Sequence, residues 1–330
     1  MNPDGTLLLS RQEVRSLLTI GECIGAVERV FRLSGEGKTV PPGILGIKAE
    51  YGGFHIKAGL LDDDRAYFVA KMNSNFPQNP KRGTLPTIQG VIVLCDAENG
   101  CPLAVMDSIE ITIQRTGAAT AVAANYLSRH DSAAVTVCGC GTQGRIQLRS
   151  LLMVRPLKQA FLYDVDPAQA IRLAGEFSND LSVEPITKQQ LASSLQKSAI
   201  CVTCTTSERY YLERDTIAPG TFIAAVGADN EQKQELDPRL FVSSKVVVDS
   251  IEQCLTIGDL HHAVKEGLVK KSDVHAELGE IVAGRKPGRT SHEEIVIFDS
   301  TGTAIQDCAA AILVYKKAVH TKSGTMTHFN

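Results

Sequence analysis

The chain has 330 residues, enough for about two domains at the usual ~150 residues each. Hydrophobic residues make up 43% and charged residues 22%, as in ordinary globular proteins; the formal net charge of −3 gives no electrostatic case for nucleic acid or an anionic membrane as a partner. No apolar run approaches the ~18 residues of a membrane span, and residues 1–9 lack the basic-then-apolar order of a secretory signal. The nine cysteines are scattered, mostly in apolar runs such as that around Cys95, and are expected as reduced cytoplasmic thiols. Cys201 and Cys204 form a CxxC, but no second ligand pair at zinc spacing accompanies them, so they are read as strand residues and no metal site is expected.

In chain order, two S/T-x-x-E boxes come first, Ser10 with Glu13 and Thr19 with Glu22, each marking a helix start. Ile20, Ile24, Val27 and Phe31 then recur at helical spacing until Gly35 and Gly37. Strand-like runs follow at 54–60, 67–72 and 88–95, separated by turn-rich stretches at 62–64 and 73–87. A long Ala-rich helix covers 109–127. This half reads as α+β with an antiparallel or mixed sheet.

From residue 133 the rhythm becomes strand, turn, helix. Apolar strands are predicted at 134–138, 160–163, 200–204, 222–226, 246–249 and 295–298. Short buried strands alternating with helices imply a doubly wound parallel sheet. The last helix, 303–318, carries Ala304, Cys308, Ala311, Ile312 and Tyr315 on one face and is expected to pack back on the first domain. The chain is thus α/β: a Rossmann-type domain at 129–303, and a discontinuous α+β domain made of 1–128 with 304–330.

Gly139-Cys-Gly-Thr-Gln-Gly144 is a complete GxGxxG between a buried strand and an amphipathic helix expected to start near Arg145. Its glycines allow a tight turn and close approach to a pyrophosphate seated on the helix N-terminus. Asp164 ends the next strand, where an acid would accept the adenosine ribose hydroxyl and repel a 2′-phosphate. NAD is therefore expected rather than NADP, with Gly139, Gly141, Thr142, Gln143, Gly144 and Asp164 binding it. Thr205 and Ser207, at a later strand end, are further candidates.

Four residues could carry chemistry. Arg115 shares a helical face with Ile111, Ala118 and Val122; it is either a clamp for a substrate carboxylate or a salt-bridged structural arginine. Lys71 lies in an apolar strand, where a half-buried lysine suits proton transfer and a strand-end lysine merely reaches solvent. Lys57 shares a strand face with His55, as a site wall or as the wet side of a sheet. Asp229 follows a strand at the carboxyl edge of the parallel sheet, where it could take an ammonium, act as a base or cap a turn.

As an ordered set these segments resemble the ornithine cyclodeaminase/mu-crystallin family along nearly the whole chain. The carrying runs are Val69-Ala-Lys-Met-Asn-Ser-Asn-Phe-Pro-Gln-Asn-Pro80, Gly83-Thr-Leu-Pro-Thr87, Pro102-Leu-Ala-Val-Met-Asp107, Arg115-Thr-Gly-Ala-Ala119 and the Gly139 motif. Gly227-Ala-Asp229, Lys233-Gln-Glu-Leu-Asp237, His275-Ala-Glu-Leu-Gly279 and Asp299-Ser-Thr-Gly-Thr-Ala-Ile-Gln-Asp307 complete them. The resemblance implies a homodimer joined through first-domain sheets, and a nicotinamide cofactor facing a small amino acid or its imine. It implies that Lys71 is the active-site lysine, Arg115 the carboxylate-binding arginine and Asp229 the acid that handles the substrate amine. Ser300, Thr301 and Gly302 would form the nicotinamide-end loop. One departure stands out: many members carry Pro-Pro-Arg where this chain has Pro41-Pro42-Gly43, and Lys57 is the candidate to supply the missing charge.

Three functions are compatible with that resemblance: an amino acid dehydrogenase or cyclic ketimine reductase, an ornithine or lysine cyclodeaminase using NAD catalytically, and a non-enzymatic binder like mu-crystallin. Gly227-Ala-Asp229, Lys233-Gln-Glu-Leu-Asp237 and Glu293-Glu-Ile-Val-Ile-Phe-Asp-Ser-Thr-Gly302 resemble the alanine dehydrogenase branch. The expected function is therefore an NAD-dependent oxidoreductase of a small amino acid and its imino or 2-oxo acid.

Overall fold

The computed structural model describes residues 5–83 and 85–328, so Thr84 of the Gly83–Thr87 motif lies outside the described residues. The chain divides into two compact units, Met1–Arg115 with Thr303–Asn330, and Thr116–Gly302. The division falls inside the helix Ser108–Leu127, ahead of the boundary at 128 that the end of the Ala-rich run suggests.

In the first unit, Ser10 caps the helix Arg11–Leu17: its Oγ accepts from the Glu13 amide, and Glu13 Oε2 accepts in turn from the Ser10 amide at 2.8 Å. Thr19 caps the helix Ile20–Gly35 through the Glu22 amide. The strands are β1 (Thr6–Leu9), β2 (Gly43–Ala49), β3 (Gly52–Asp62), β4 (Ala66–Asn75), β5 (Ile88–Asp96) and β6 (Pro102–Asp107). With the C-terminal strand Thr325–Thr327 they form a seven-stranded sheet in the order C-terminal strand, β1, β6, β5, β4, β3, β2. All its pairings are antiparallel except β1 with β6, so of the two expected alternatives, antiparallel or mixed, the sheet is mixed. The strand Gly43–Ala49 was not anticipated. Ile44, Leu45 and Ile47 break the period-2 alternation, and every residue of β2 is exposed, so no buried face marks it.

Register sorts the two faces of this sheet. One row runs Ile44, Lys57, Lys71, Ile92 across β2 to β5, and the next runs Leu45, Ile56, Met72, Val91. Successive residues point to opposite faces, so these rows lie on opposite sides. Lys71 and Ile92 are buried, whereas Leu45 is 52%, Met72 43% and Val91 38% exposed. The C-terminal helix Ala304–Thr321 covers the Lys71 side: a Cβ on Gly59 would stand 3.4 Å from Ala304 Cβ and Cys308 Sγ, so the missing side chain lets the helix sit close.

The second unit holds ten strands: β7 (Ala134–Cys138), β8 (Gln159–Tyr163), β9 (Ser182–Ile186), β10 (Ile200–Thr203), β11 (Glu208–Leu212), β12 (Phe222–Ala225), β13 (Gln234–Leu236), β14 (Lys245–Val248), β15 (Ala276–Glu277) and β16 (Val296–Asp299). Eight of them form an all-parallel sheet in the order β15, β14, β16, β12, β10, β7, β8, β9, while β11 and β13 pair separately. This is the doubly wound sheet of a Rossmann fold. The direction of winding reverses between β7 and β10, and ligands of such sheets bind outside the strand ends at that reversal. The strands β7, β10, β12 and β16 are almost wholly buried, which explains their continuous apolar runs.

All nine cysteines are free. Cys201 is a core residue of β10 and Cys204 follows its end, as their apolar context suggests. Among the described residues no helix is long and apolar enough to cross a membrane.

Candidate active site

The glycine loop leaves β7 and enters the helix Thr142–Leu152, which begins at Thr142 rather than near Arg145. Thr142 and Gln143 therefore occupy its first turn. The three glycines differ in what forces them. Gly139 has φ +97°, a left-handed conformation, and a Cβ there would lie 2.8 Å from the Cys204 carbonyl oxygen. A Cβ on Gly144 would lie 2.0 Å from the Gly139 carbonyl oxygen, so this glycine lets helix and strand pack together. Gly141 has nothing within 4 Å of its Cβ position, and as the helix N-cap it offers no side-chain hydrogen bond to the first turn. Open space against uncapped amides is what a pyrophosphate needs, and a larger residue would fill it.

Asp164 follows the end of β8 and is fixed to this loop. Its Oδ2 accepts from the Cys140 amide at 2.7 Å and its Oδ1 from the Asp166 amide at 2.9 Å. Each oxygen keeps a second lone pair for a ribose hydroxyl. Thr205 and Ser207 follow β10, but the Thr205 amide and hydroxyl both donate to Glu235 Oε1, at 2.7 and 2.6 Å. The Ser207 hydroxyl donates to the Arg209 carbonyl at 2.5 Å. Both hydroxyls are thus engaged within the unit, and what Thr205 offers a ligand is the placement of its loop.

Glu235 organises that region, a role that no local pattern announces. Fully buried, it also accepts from the Tyr211 hydroxyl at 2.9 Å and the Gly227 amide at 3.0 Å. Burial pushes its carboxyl above the usual range. Asp259, also fully buried, accepts from the Glu235 and Leu236 amides at 2.7 and 2.9 Å, and burial, with the Glu235 charge adding to it, pushes its carboxyl up to about 7. Asp299 accepts from the Leu260 amide at 2.8 Å. Asp249 then fixes the loop after β16: its Oδ2 accepts from the Gly302 amide at 2.6 Å and the Ser300 hydroxyl at 3.1 Å, its Oδ1 from the Thr301 hydroxyl at 3.1 Å. The Ser300–Gly302 loop is therefore held from beneath by a buried carboxylate.

Asp229 lies beyond β12 at the carboxyl edge, as its spacing suggested. Its side chain is 52% exposed and pairs with Lys233 at 2.7 Å. The Lys233 carbonyl is in turn bonded by His262 Nε2 at 2.9 Å.

In the first unit the structure brings Lys71 and Arg115 together on a third residue, Asp307. Lys71 Nζ lies 2.6 Å from Asp307 Oδ2, and Arg115 Nε lies 3.0 Å from Asp307 Oδ1. Arg115 also donates to Gln306 Oε1 at 3.2 Å. All three charged side chains are buried, Lys71 to 4% exposure, so it is not the half-buried lysine that the strand pattern suggested. Burial pulls the Lys71 ammonium down to about 7, against the attraction of Asp307, and Arg115 and Lys57 add repulsion. For Asp307 burial pushes upward, but Lys71 and Arg115 outweigh it and hold the carboxyl below its usual value. Lys57 is the register partner of Lys71 on the adjacent strand. Asp307 is 192 positions from Arg115, and no local spacing could join the two.

Comparison with known proteins places the whole chain in a family. A model of the ornithine cyclodeaminase/mu-crystallin family matches residues 5–322, which takes in both units. The alanine dehydrogenase of Archaeoglobus fulgidus is 38% identical over 98% of this chain and 98% of its own. An archaeal alanine dehydrogenase dimer with bound NAD superposes at TM-score 0.94 and 37% identity, covering 98% of this chain and 99% of that one. The Delta(1)-pyrroline-2-carboxylate reductase of Thermococcus litoralis, in complex with NADH and L-proline, superposes at 0.91 and 36%, covering 98% and 100%. A family match that runs unbroken from the first strand of the mixed sheet to the C-terminal helix, through a Rossmann unit with its glycine loop intact, leaves one assignment: the chain belongs to the ornithine cyclodeaminase/mu-crystallin family.

Proposed function

We propose that this chain is an NAD-dependent oxidoreductase interconverting a small amino acid and its imino or 2-oxo acid. The observation that carries the reading is the buried Lys71–Asp307–Arg115 cluster, two cations on one carboxylate, in a chain whose glycine loop fits a dinucleotide. The likeness to an alanine dehydrogenase and to a pyrroline-carboxylate reductase supports it.

Gly139, Gly141, Thr142, Gln143 and Gly144 would hold the pyrophosphate, Asp164 the adenosine ribose, and the Ser300–Gly302 loop the nicotinamide end. When bound, the nicotinamide supplies or accepts the hydride. Arg115 and Lys71, with Lys57 beside them, fix the substrate carboxylate, and such positioning contributes up to ~7–11 kcal/mol in ideal cases. Protonation of the imine nitrogen makes its carbon more electrophilic, and Asp229 stabilises that charge and then the product ammonium. To do so it must release Lys233. The free thiols suit a reducing compartment, the cytoplasm.

The family resemblance, the archaeal dimer and the uncovered Leu45–Met72–Val91 face together support a homodimer in which a second copy packs on the first unit's sheet.

The deciding experiment follows NADH absorbance with 2-oxo acids plus ammonia or methylamine, and with cyclic imines, while ornithine and lysine are assayed for ammonia release. Stoichiometric NADH consumption is expected. Ammonia release with no net change in NADH overturns the reading in favour of a cyclodeaminase. NAD binding without either reaction favours a binding protein. Under the proposed reaction Asp229→Asn lowers kcat at least ~100-fold, within the range of acid–base groups.

A further inference from the structure

We propose that Asp307 is a positioning residue: its carboxylate holds the Lys71 ammonium and the Arg115 guanidinium side by side, as one receptor for a second carboxylate, that of the substrate. The inference rests on the oxidoreductase reading and says what the carboxylate at the centre of that cluster does for the two cations.

The geometry is divided between the two oxygens of one carboxylate. Oδ2 takes Lys71 at 2.6 Å and Oδ1 takes Arg115 Nε at 3.0 Å, so the two cations are set by a common template. Gln306, the preceding residue, fixes a second face of the guanidinium at 3.2 Å. Both stand in the first turn of the C-terminal helix, whose positive end favours a carboxylate. Asp307 is 1% exposed and does not leave the site to meet solvent.

Charge is the second argument. The groups facing the cluster are Lys71 on β4, Lys57 on β3, Arg115 on the long helix, Cys23 on the helix Ile20–Gly35, and Asp307 with Cys308 on the C-terminal helix. Burial pushes the Cys23 thiol up to about 12 and raises that of Cys308 too, so both stay neutral. Among the described residues Asp307 is the carboxylate in ion-pair contact with Lys71 and Arg115. With Lys71 protonated, two buried cations on one carboxylate leave a positive surplus inside the fold. A purely structural ion pair would tend to balance, because an uncompensated buried charge is costly. A surplus held in place is what a site for a carboxylate requires.

Removing the Asp307 charge lowers the affinity of Lys71 for its proton, so a receptor that depends on Lys71 fails first at alkaline pH. The test uses the full chain, with Asp307→Asn and Asp307→Glu beside wild type. The Lys71 Cε resonance is followed against pH by NMR in carbon-13-lysine protein and assigned with Lys71→Met. In parallel, KM and kcat for pyruvate plus ammonia are measured from about pH 6 to 9, spanning the expected Lys71 titration. In Asp307→Asn the Lys71 midpoint falls by about one unit or more, and KM for pyruvate rises ~10-fold or more at alkaline pH and less at acid pH. Saturated kcat and NADH affinity stay within about twofold, and Asp307→Glu restores the midpoint. Equal loss in kcat and KM at every pH, or an unmoved midpoint in the active enzyme, overturns the proposal. Should Asp307→Asn not fold, wild type decides: saturating pyruvate must raise the Lys71 midpoint, and a midpoint indifferent to pyruvate overturns it. If wild type turns over no imine or 2-oxo acid while the midpoint still responds to Asp307→Asn and to pyruvate, the reaction is wrong and the receptor stands.

Discussion

Asp164 accepts from the Cys140 and Asp166 amides, so its charge is anchored beside the glycine loop and cannot swing away from a cofactor phosphate. A 2′-phosphate brought to that position meets a like charge, and wild type is expected to bind NADH more tightly than NADPH. Asp164→Ser removes the repulsion along with a ribose acceptor, shifting the affinity ratio toward NADPH by ~10-fold or more, as for loss of one charged hydrogen bond. Fluorescence titration with both cofactors checks this; equal or tighter NADPH binding by wild type contradicts it. Arg115→Ala strikes the other unit. It strips Asp307 of one partner and the proposed receptor of one arm, with a cost on the order of 3 kcal/mol, about a hundredfold in kcat/KM for a carboxylate substrate. NADH affinity should stay within about twofold, because the cofactor residues belong to the other unit. A change below about threefold in kcat/KM means that Arg115 is only the structural half of its ion pair. At this scale the sequence was partly legible: an arginine on an apolar helical face and a lysine in an apolar strand announced themselves by being out of place. Asp307 and Glu235 did not, because a carboxylate at a helix start or beside a turn looks like a cap until the distant groups it bonds are known.

The glycine loop is the element on which sequence and structure agree most closely, and the agreement has a steric cause. A fixed spacing of glycines is needed because Gly139 avoids the Cys204 carbonyl, Gly144 avoids the Gly139 carbonyl, and Gly141 between them keeps the space at the helix start open. The loop therefore makes a paired prediction. Gly144→Ala places a Cβ 2.0 Å from a backbone oxygen that cannot move without disturbing β7, and should destabilise the Rossmann unit on the order of 3 kcal/mol. Gly141→Ala meets nothing within 4 Å at an ordinary negative φ, so the fold should keep its stability within about 1 kcal/mol. The same Cβ stands where a pyrophosphate would approach, and NADH affinity should fall ~10-fold or more. Thermal melts and NADH titration separate the two; a Gly141→Ala protein that binds NADH normally removes the loop from the cofactor site. Elements without such local necessity were harder to read. β7 matches its predicted 134–138 span because four of its five residues are apolar and the strand–helix rhythm around it leaves one reading, whereas β2 passed unnoticed because all its residues are exposed. β1, β6, β9, β11, β13, β15 and the C-terminal strand were missed as well; β13, β15 and the C-terminal strand are only two or three residues long, too short for any period to show.

For the whole molecule, the apolar residues that remain outside are as informative as those inside. Leu45, Met72 and Val91 line one register row of the first unit's sheet, with Ile47 at 51% and Phe54 at 36% exposure in the adjoining row of the same face. A soluble monomer rarely leaves so many large apolar side chains together, and a fully exposed strand at a sheet edge invites pairing. The opposite face of the sheet is occupied by Lys57, Lys71 and the C-terminal helix, so a second copy seated on the Leu45 face would leave the charged cluster undisturbed. The proposed homodimer should therefore be broken by charge on that face alone. Leu45→Glu combined with Val91→Glu places two carboxylates in the row without touching a buried side chain, so each protomer should keep its fold. Burying either carboxylate unpaired in an interface would cost several kcal/mol, enough to shift a micromolar-range equilibrium to monomer. Sedimentation equilibrium should therefore show a dimer for wild type and a monomer for the double variant, with NADH affinity preserved because the Rossmann residues are untouched. A wild type that sediments as a monomer, or a double variant that stays dimeric, would place the interface elsewhere and leave the exposed face without an explanation.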